Sequence, residues 1–276
     1  MKKFVIDGEY RKLLEQSGIN AAQVQVLQIA QLPQNTFEHQ RIQLKEKQYY
    51  QLMNAIDEVT GFNKKLLIQL ATQNEIETFS PAIYAAFCSS DGLECLKRLA
   101  KYKKLIGPVC YQIQQNAVQV KIKLNSITGQ PIDSAFFIEG EFCFLKGLIS
   151  KALGQEIKPI KVITQFDEQS SLIEDFLEIK FEQENVNEII FALNDMQKQF
   201  QTANHLMVSY LKPELNKQLG ELDTDESYSA QVRNVITELL TTGQVSAEMV
   251  AQKLNLSKRT LQRFKKRKYK LSTTIK

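Results

Sequence analysis

In "YQIQQNAVQVKIKL", residues 111–124, the spacing of apolar residues changes to two. Val118, Val120, Ile122 and Leu124 alternate with Gln119, Lys121 and Lys123. Strict alternation places apolar side chains on one face of a pleated backbone and polar ones on the other, which predicts a half-buried strand. A hairpin turning near Gln115 and Asn116 is the expected partner arrangement. Upstream the spacing is helical instead, so a purely helical or purely β fold does not accommodate this chain.

The upstream helices are punctuated by residues that end helices. "YRKLLEQSG" closes at Gly18, and "NAAQVQVLQIAQLP" has Asn20 as an N-cap and Pro33 beyond its end. Two amphipathic segments follow, from about Lys47 to Thr60 before Gly61 and from about Lys64 to Thr72. In "GLECLKRLAKYKKLIGP", Leu93, Leu96, Leu99, Ala100 and Lys103 recur at helical spacing, and the apolar members are expected to face one way and the lysines the other. Downstream of the strand, "FFIEGEFCFLKGLISKALG" returns to helical spacing and stops at Gly154. "PIKVITQF" and "FLEIKFEQENVNEIIF" read as strands, the second as a hairpin around Glu184 to Asn187. A long helix from about Asn194 to Leu219 completes this part. The order predicts an α+β domain, helices plus a small antiparallel sheet, followed by an all-α unit. Polar, acidic "GELDTDESYS", residues 220–229, is the expected linker between them.

With 276 residues, 43% of them hydrophobic and 24% charged, the chain has material for one large or two domains. No apolar run is long enough to span a membrane, and "MKKFVIDGEYRKLLEQ" lacks the apolar core of a secretory signal, so a cytoplasmic location is expected. Cys88, Cys95, Cys110 and Cys143 form no C-x-x-C pair, and His39 and His205 are not at ligand spacing. Buried free thiols are the expected reading, with no metal and no cofactor. Glu139 and Glu141 are close in sequence but two apart on a helix, which reads as a solvated face. His205 in "ANHLMVSYL" reads as a capping or packing residue. No Ser/His/Asp arrangement, phosphate loop, dinucleotide fingerprint or H-E-x-x-H motif is present, so no enzymatic activity is expected.

Charge is distributed unevenly. Nine of the 35 basic residues and none of the 31 acidic ones lie at residues 257–276, so the rest of the chain is net −5. Two readings stand on charge alone, a nucleic-acid contact and a solvated lysine tail.

Local structure favours the first. "SAQVRNVITELLTTG" places Val232, Val235, Ile236, Leu239 and Leu240 on one face and stops at Gly243. "SAEMVAQKL" has Ser246 as N-cap and Ala247, Val250, Ala251 and Leu254 inward, and "NLS" makes a tight turn. Ser257 then caps "KRTLQRF". That is helix-turn-helix spacing. With Leu261 inward, Arg259, Gln262 and Arg263 share an outer face suited to guanine and adenine edges. Ser257 and Lys258 suit a phosphate at the helix start.

"GQVSAEMVAQKLNLSKRTLQRF" resembles the first helix-turn-helix of the AraC/XylS family of transcriptional regulators, which carry a segment like "S-x-R-T-L-Q-R-x-L" here. "LLEQSGI", "LKRLAKYKKLIGP" and "FLEIKFEQENVNEIIF" resemble the arabinose-binding-type N-terminal domain of one subgroup. The resemblance implies a sensor or ligand-binding domain at 1–222 and the first helix-turn-helix of a DNA-binding domain at 223–264, while residues 265–276, lysine-rich and without an acidic residue or apolar rhythm, read as a basic, disordered tail. Ser257, Lys258, Arg259, Thr260, Gln262 and Arg263 are the implied DNA-binding residues. Double-stranded DNA, a small-molecule effector and a second copy of the chain are the implied partners.

After Phe264 the resemblance ends. Lys265 stands where the family has a core leucine, and the second helix-turn-helix is missing. Read one base later, a back-translation of "FKKRKYKLSTTIK" yields "LKRENINFQQLL", which restores the leucine and the family's downstream pattern. The expectation is a frameshifted, truncated DNA-binding domain with weakened DNA binding. The alternative is a ligand-binding or dimerising remnant without sequence-specific DNA binding.

Overall fold

The fold, taken from a computed structural model, is described for residues 3–7, 23–38, 41–73, 76–167, 170–241, 246–254, 256–257 and 259–260. In chain order the elements are β1 (Lys3–Asp7), α1 (Gln23–Ile29), β2 (Arg41–Lys45), α2 (Glu46–Val59), α3 (Lys65–Thr72), α4 (Pro81–Phe87), α5 (Gly92–Tyr102), β3 (Val109–Gln115), β4 (Gln119–Ser126), α6 (Ala135–Leu153), β5 (Lys161–Thr164), α7 (Ser171–Leu177), β6 (Phe181–Gln183), β7 (Glu188–Ala192), α8 (Leu193–Met196), α9 (His205–Thr241) and α10 (Ala247–Lys253). Residues divide into two compact units, Met1–Leu215 and Asn216–Lys276. No helix among the described residues is long and apolar enough to cross a membrane. The segment expected to be a helix at "YRKLLEQSG" lies outside the described residues.

The strand read from alternation is β4. Val120, Ile122 and Leu124 point into the core while Gln119, Lys121 and Lys123 are half-buried. Asn116 sets the hairpin with β3. Its Oδ1 accepts from the backbone N–H groups of Val118 and Gln119, 2.9 Å each, an Asx turn. Val118 therefore belongs to the turn, 70% exposed, and not to the strand.

The five-stranded sheet has the order β3-β4-β7-β5-β6, and β5 and β6 run parallel, so it is mixed where an antiparallel sheet was expected. Nor is there a hairpin around residues 184–187. The Glu184 N–H donates to the Thr164 carbonyl, and Asn187 Oδ1 accepts from the Gln165 N–H. These bonds tie the segment to the end of β5, which lies between β6 and β7. Parallel neighbours need a crossover, and α7, burying Ile173 and Leu177, supplies it, taking in the first two residues, Phe176 and Leu177, of the stretch that reads as strand.

The single helix expected at 194–219 is broken. The N–H groups of Phe200, Gln201 and Asn204 donate to the carbonyls of Ser90, Ala152 and Cys88, and an unbroken helix would consume them. Asn204 then caps a new helix, accepting from the Met207 N–H at 2.9 Å. That helix, α9, continues through residues 220–229, so the expected linker is helical. The stretch contains no proline, so nothing in its backbone chemistry forbids helix propagation.

The core of the larger unit surrounds α6. Ser134 caps it, and Gly154, at φ +68°, ends it in the left-handed region that favours glycine. Nearly every side of this helix is buried, the mark of a helix without a water face. The close neighbour α3 passes Gly147, where a Cβ would overlap the carbonyl of Ala71. Gly147→Ala is expected to lower unfolding free energy by about 1–3 kcal/mol, because the two helix backbones must separate. By contrast, nothing lies within 4 Å of a Cβ on Gly220 of α9. Gly220→Ala is expected to stabilise by about 0.5–1 kcal/mol. Urea titrations of both variants check the pair.

Candidate functional site

Two places are candidates for a functional site. The first is the C-terminal segment. Ser246 Oγ accepts from the Met249 N–H at 3.2 Å and caps α10, which buries Val250 and Ala251. Ala247, expected inward, is exposed, and Leu254 is half-buried. The Leu256 N–H returns to the Ala251 carbonyl and closes the helix end. Ser257 Oγ then accepts from the Thr260 N–H at 3.1 Å, an N-cap geometry at the start of the next helical residues, Arg259 and Thr260. Arg259 is exposed. Lys258, Leu261, Gln262 and Arg263, the basic tail and Gly243 lie outside the described residues.

The second place is a pocket of about 150 Å³ among α2, α3 and α6, flanked by Phe79, Ile83 and the turn after α5. Helical spacing builds its walls. Tyr49, Met53 and Ile56 line up on α2, Leu66, Leu67 and Leu70 on α3, and Phe136, Phe137, Gly140 and Phe144 on α6. Gly140 holds space for α3, since a Cβ there would stand 3.1 Å from Leu67 Cδ2.

Charge enters this wall where the sequence reading placed none. Lys103, only 2% exposed, donates to Glu141 Oε1 at 2.9 Å and lies 2.8 Å from Glu141 Oε2. The Tyr111 hydroxyl also donates to Glu141 Oε2. The Lys103 ammonium sits 4.9 Å from the centres of both the Tyr111 and Phe144 rings. Burial, then the Glu141 charge, pushes the Tyr111 hydroxyl well above its ordinary pKa, so it stays a donor. Lys103 thus does not join the solvent-facing lysines of α5, and Glu141 is not part of a solvated face.

Glu139 corrects the same expectation from the other side of α6. It is 4% exposed, and its Oε1 accepts from the Ser170 N–H at 3.2 Å. Its Oε2 lies 3.7 Å from Lys64 Nζ and has no hydrogen-bond partner among the described residues. Lys64 itself donates to Asp57 Oδ2 and lies over the Phe136 ring at 5.3 Å. Burial is the largest influence on Glu139 and raises its carboxyl pKa, against the pull of Lys64 and the Ser170 N–H.

The sequence held a signal for these groups. Glu139, Glu141 and Lys146 interrupt a helix that is apolar all round, and Lys103 falls on the apolar side of α5's repeat. The cysteines are free, three of them buried and Cys110 half-buried, and burial pushes the Cys95 thiol up to about 12. His205 is exposed at the first residue of α9.

Two predictions follow from the buried charges. Lys103→Met strands Glu141 and is expected to cost about 3–5 kcal/mol of stability. Adding Glu141→Gln removes the stranded charge, keeps an acceptor for Tyr111, and recovers part of that loss in denaturant titrations. An unchanged stability for Lys103→Met alone would contradict the pairing. For Glu139, the folded carboxyl holds its proton to higher pH than the ordinary 4.5, so the folded state binds more protons just above that pH. Its contribution to stability therefore declines as pH rises through that window. Glu139→Gln should flatten this decline, read as urea midpoints across pH, and identical slopes would contradict the assignment.

Among solved structures, the transcriptional regulator CdpR from Pseudomonas aeruginosa is similar in fold. It superposes with a TM-score of 0.50 over 93% of this chain and 78% of that chain, at 12% sequence identity. No curated protein matches. Residues 18–198, about two-thirds of the chain, match the family described as "Arabinose-binding domain of AraC transcription regulator, N-term". The chain therefore belongs to the family of transcription regulators that carry the AraC-type arabinose-binding N-terminal domain.

Proposed function

We propose that the chain is a one-component regulator whose N-terminal sensor domain, residues 1–222, binds a small-molecule effector and pairs with a second copy. In this reading residues 223–264 hold a helix-turn-helix that binds double-stranded DNA. The observation that carries it is the pair of serine caps. Ser246 and Ser257 each start a helical segment across a tight turn, the spacing that sets one helix across a phosphate backbone and the next in the major groove.

Roles then follow from chemistry. Ser257, Lys258 and Thr260 meet phosphates at the helix start, and Arg259, Gln262 and Arg263 meet base edges. Lys265 in a core leucine position weakens the seat of that helix, because a lysine stem must snorkel outward. Its neighbours are cationic, so phosphate contacts dominate the affinity and binding is salt-sensitive. The role is binding rather than catalysis.

Gel-shift titration of the full chain against duplex DNA over a salt series tests this. Binding is expected at low salt and should weaken steeply as salt rises. Arg259→Ala is expected to reduce sequence selectivity by about 1–3 kcal/mol. Absence of DNA binding at low salt, or an Arg259→Ala, Arg263→Ala double variant that binds as the parent does, would sink the reading.

A further inference from the structure

We propose that the pocket among α2, α3 and α6 takes a compact, uncharged, mostly apolar ligand with one hydrogen-bond-accepting group, and rejects free sugars. This rests on the reading of the N-terminal domain as a small-molecule sensor.

Three observations carry it. The first is the lining. Met53, Ile56, Leu66, Leu70, Phe137 and Phe144 present only carbon and sulfur to the interior. A cavity of about 150 Å³ with such walls accommodates one benzene-sized ring with a short substituent. The second is charge balance. Among the described residues, the charged side chains in the lining are Lys103 and Glu141, and they are bonded to each other. The second Glu141 oxygen also takes the Tyr111 hydroxyl. An anionic ligand must therefore compete with Glu141 for Lys103, and a cationic one must compete with Lys103 for Glu141. Either leaves a buried charge without its partner, which is strongly unfavourable. The third is the head group. Glu141 does not exhaust the donors of the Lys103 ammonium, which is held between the Tyr111 and Phe144 rings. A carbonyl, ether or hydroxyl oxygen fits that donor without disturbing the pair.

A pentose fails on the same grounds. It carries a hydroxyl or ring oxygen at every carbon, and apart from Lys103 and Glu141 the polar side chains of the described lining are Tyr49 and Gln73. Each hydroxyl buried without a partner costs about 1–3 kcal/mol.

The test uses the full chain and small probes of matched size. Acetophenone and benzyl alcohol are the neutral probes, benzoate and benzylamine the charged ones, and L-arabinose the sugar. Binding is measured by ligand-observed NMR titration and calorimetry. The neutral probes should bind saturably, and benzoate, benzylamine and L-arabinose about tenfold or more weakly. Two pocket-filling variants, Leu70→Phe and Met53→Phe, should each weaken acetophenone about tenfold, and thermal melts identify whichever variant keeps its fold. Arabinose or a charged probe binding as tightly as the neutral ones overturns the proposal. So does saturation by no probe, or neutral binding indifferent to a folded filling variant. DNA binding is read by gel shift on the same preparation. Its retention alongside a failed probe series rejects the ligand class alone, and its loss rejects the regulator reading alone.

Discussion

Helix α6 lies inside the larger unit on nearly all of its faces, yet Glu139, Glu141 and Lys146 project from it. A helix buried all round has no water side to which it can turn a charge. Each ion must be met by a partner brought from elsewhere in the chain. Glu141 meets Lys103 and Tyr111, and Glu139 meets the Ser170 N–H with Lys64 nearby. Lys146 donates to the Phe176 carbonyl at 2.6 Å and sits 4.5 Å from the Phe176 ring. The turn after α5, the start of α3 and the end of α7 are thus tied to one helix by charge.

That arrangement also makes the pocket. Gly140 and Gly147 let α3 approach α6 closely, and α2 leans in with Tyr49 against Phe137, their rings edge-on at 5.5 Å. The aromatic and aliphatic side chains between these helices leave a space that they do not fill. The Lys103–Glu141 pair stands at its wall because α6 and the end of α5 meet there. A paired charge in an apolar wall is a poor source of stability but a good discriminator, since it penalises any ligand that would break it.

Much of the architecture can be read from residue spacing. Alternation at residues 118–124 located β4, and glycines 61 and 154 marked helix ends as expected. Ser246 and Ser257 both cap as their positions before helical runs suggested. Where reading failed, a hydrogen bond outside the regular ladders had intervened, local at Asn116 and tertiary elsewhere. Asn116 drew Val118 into a turn, the Ser90, Ala152 and Cys88 carbonyls broke one helix into two, and β5 inserted itself between strands that sequence adjacency would pair. Segment 220–229 misled for a different reason. Polar and acidic composition suits a loop and an exposed helix alike, and without a proline the backbone is free to follow helix propensity.

The sequence by itself determined most element types, the serine caps at Ser246 and Ser257, the uneven charge and the family, because each is a property of neighbours along the chain. Tertiary structure decided which strands are adjacent and which charges are sealed in. Burial and pairing depend on partners far apart in sequence, such as Lys103 with Glu141 and Lys64 with Glu139. Two carboxylates that local spacing sets on different sides of a helix become interior groups only when other helices cover both sides.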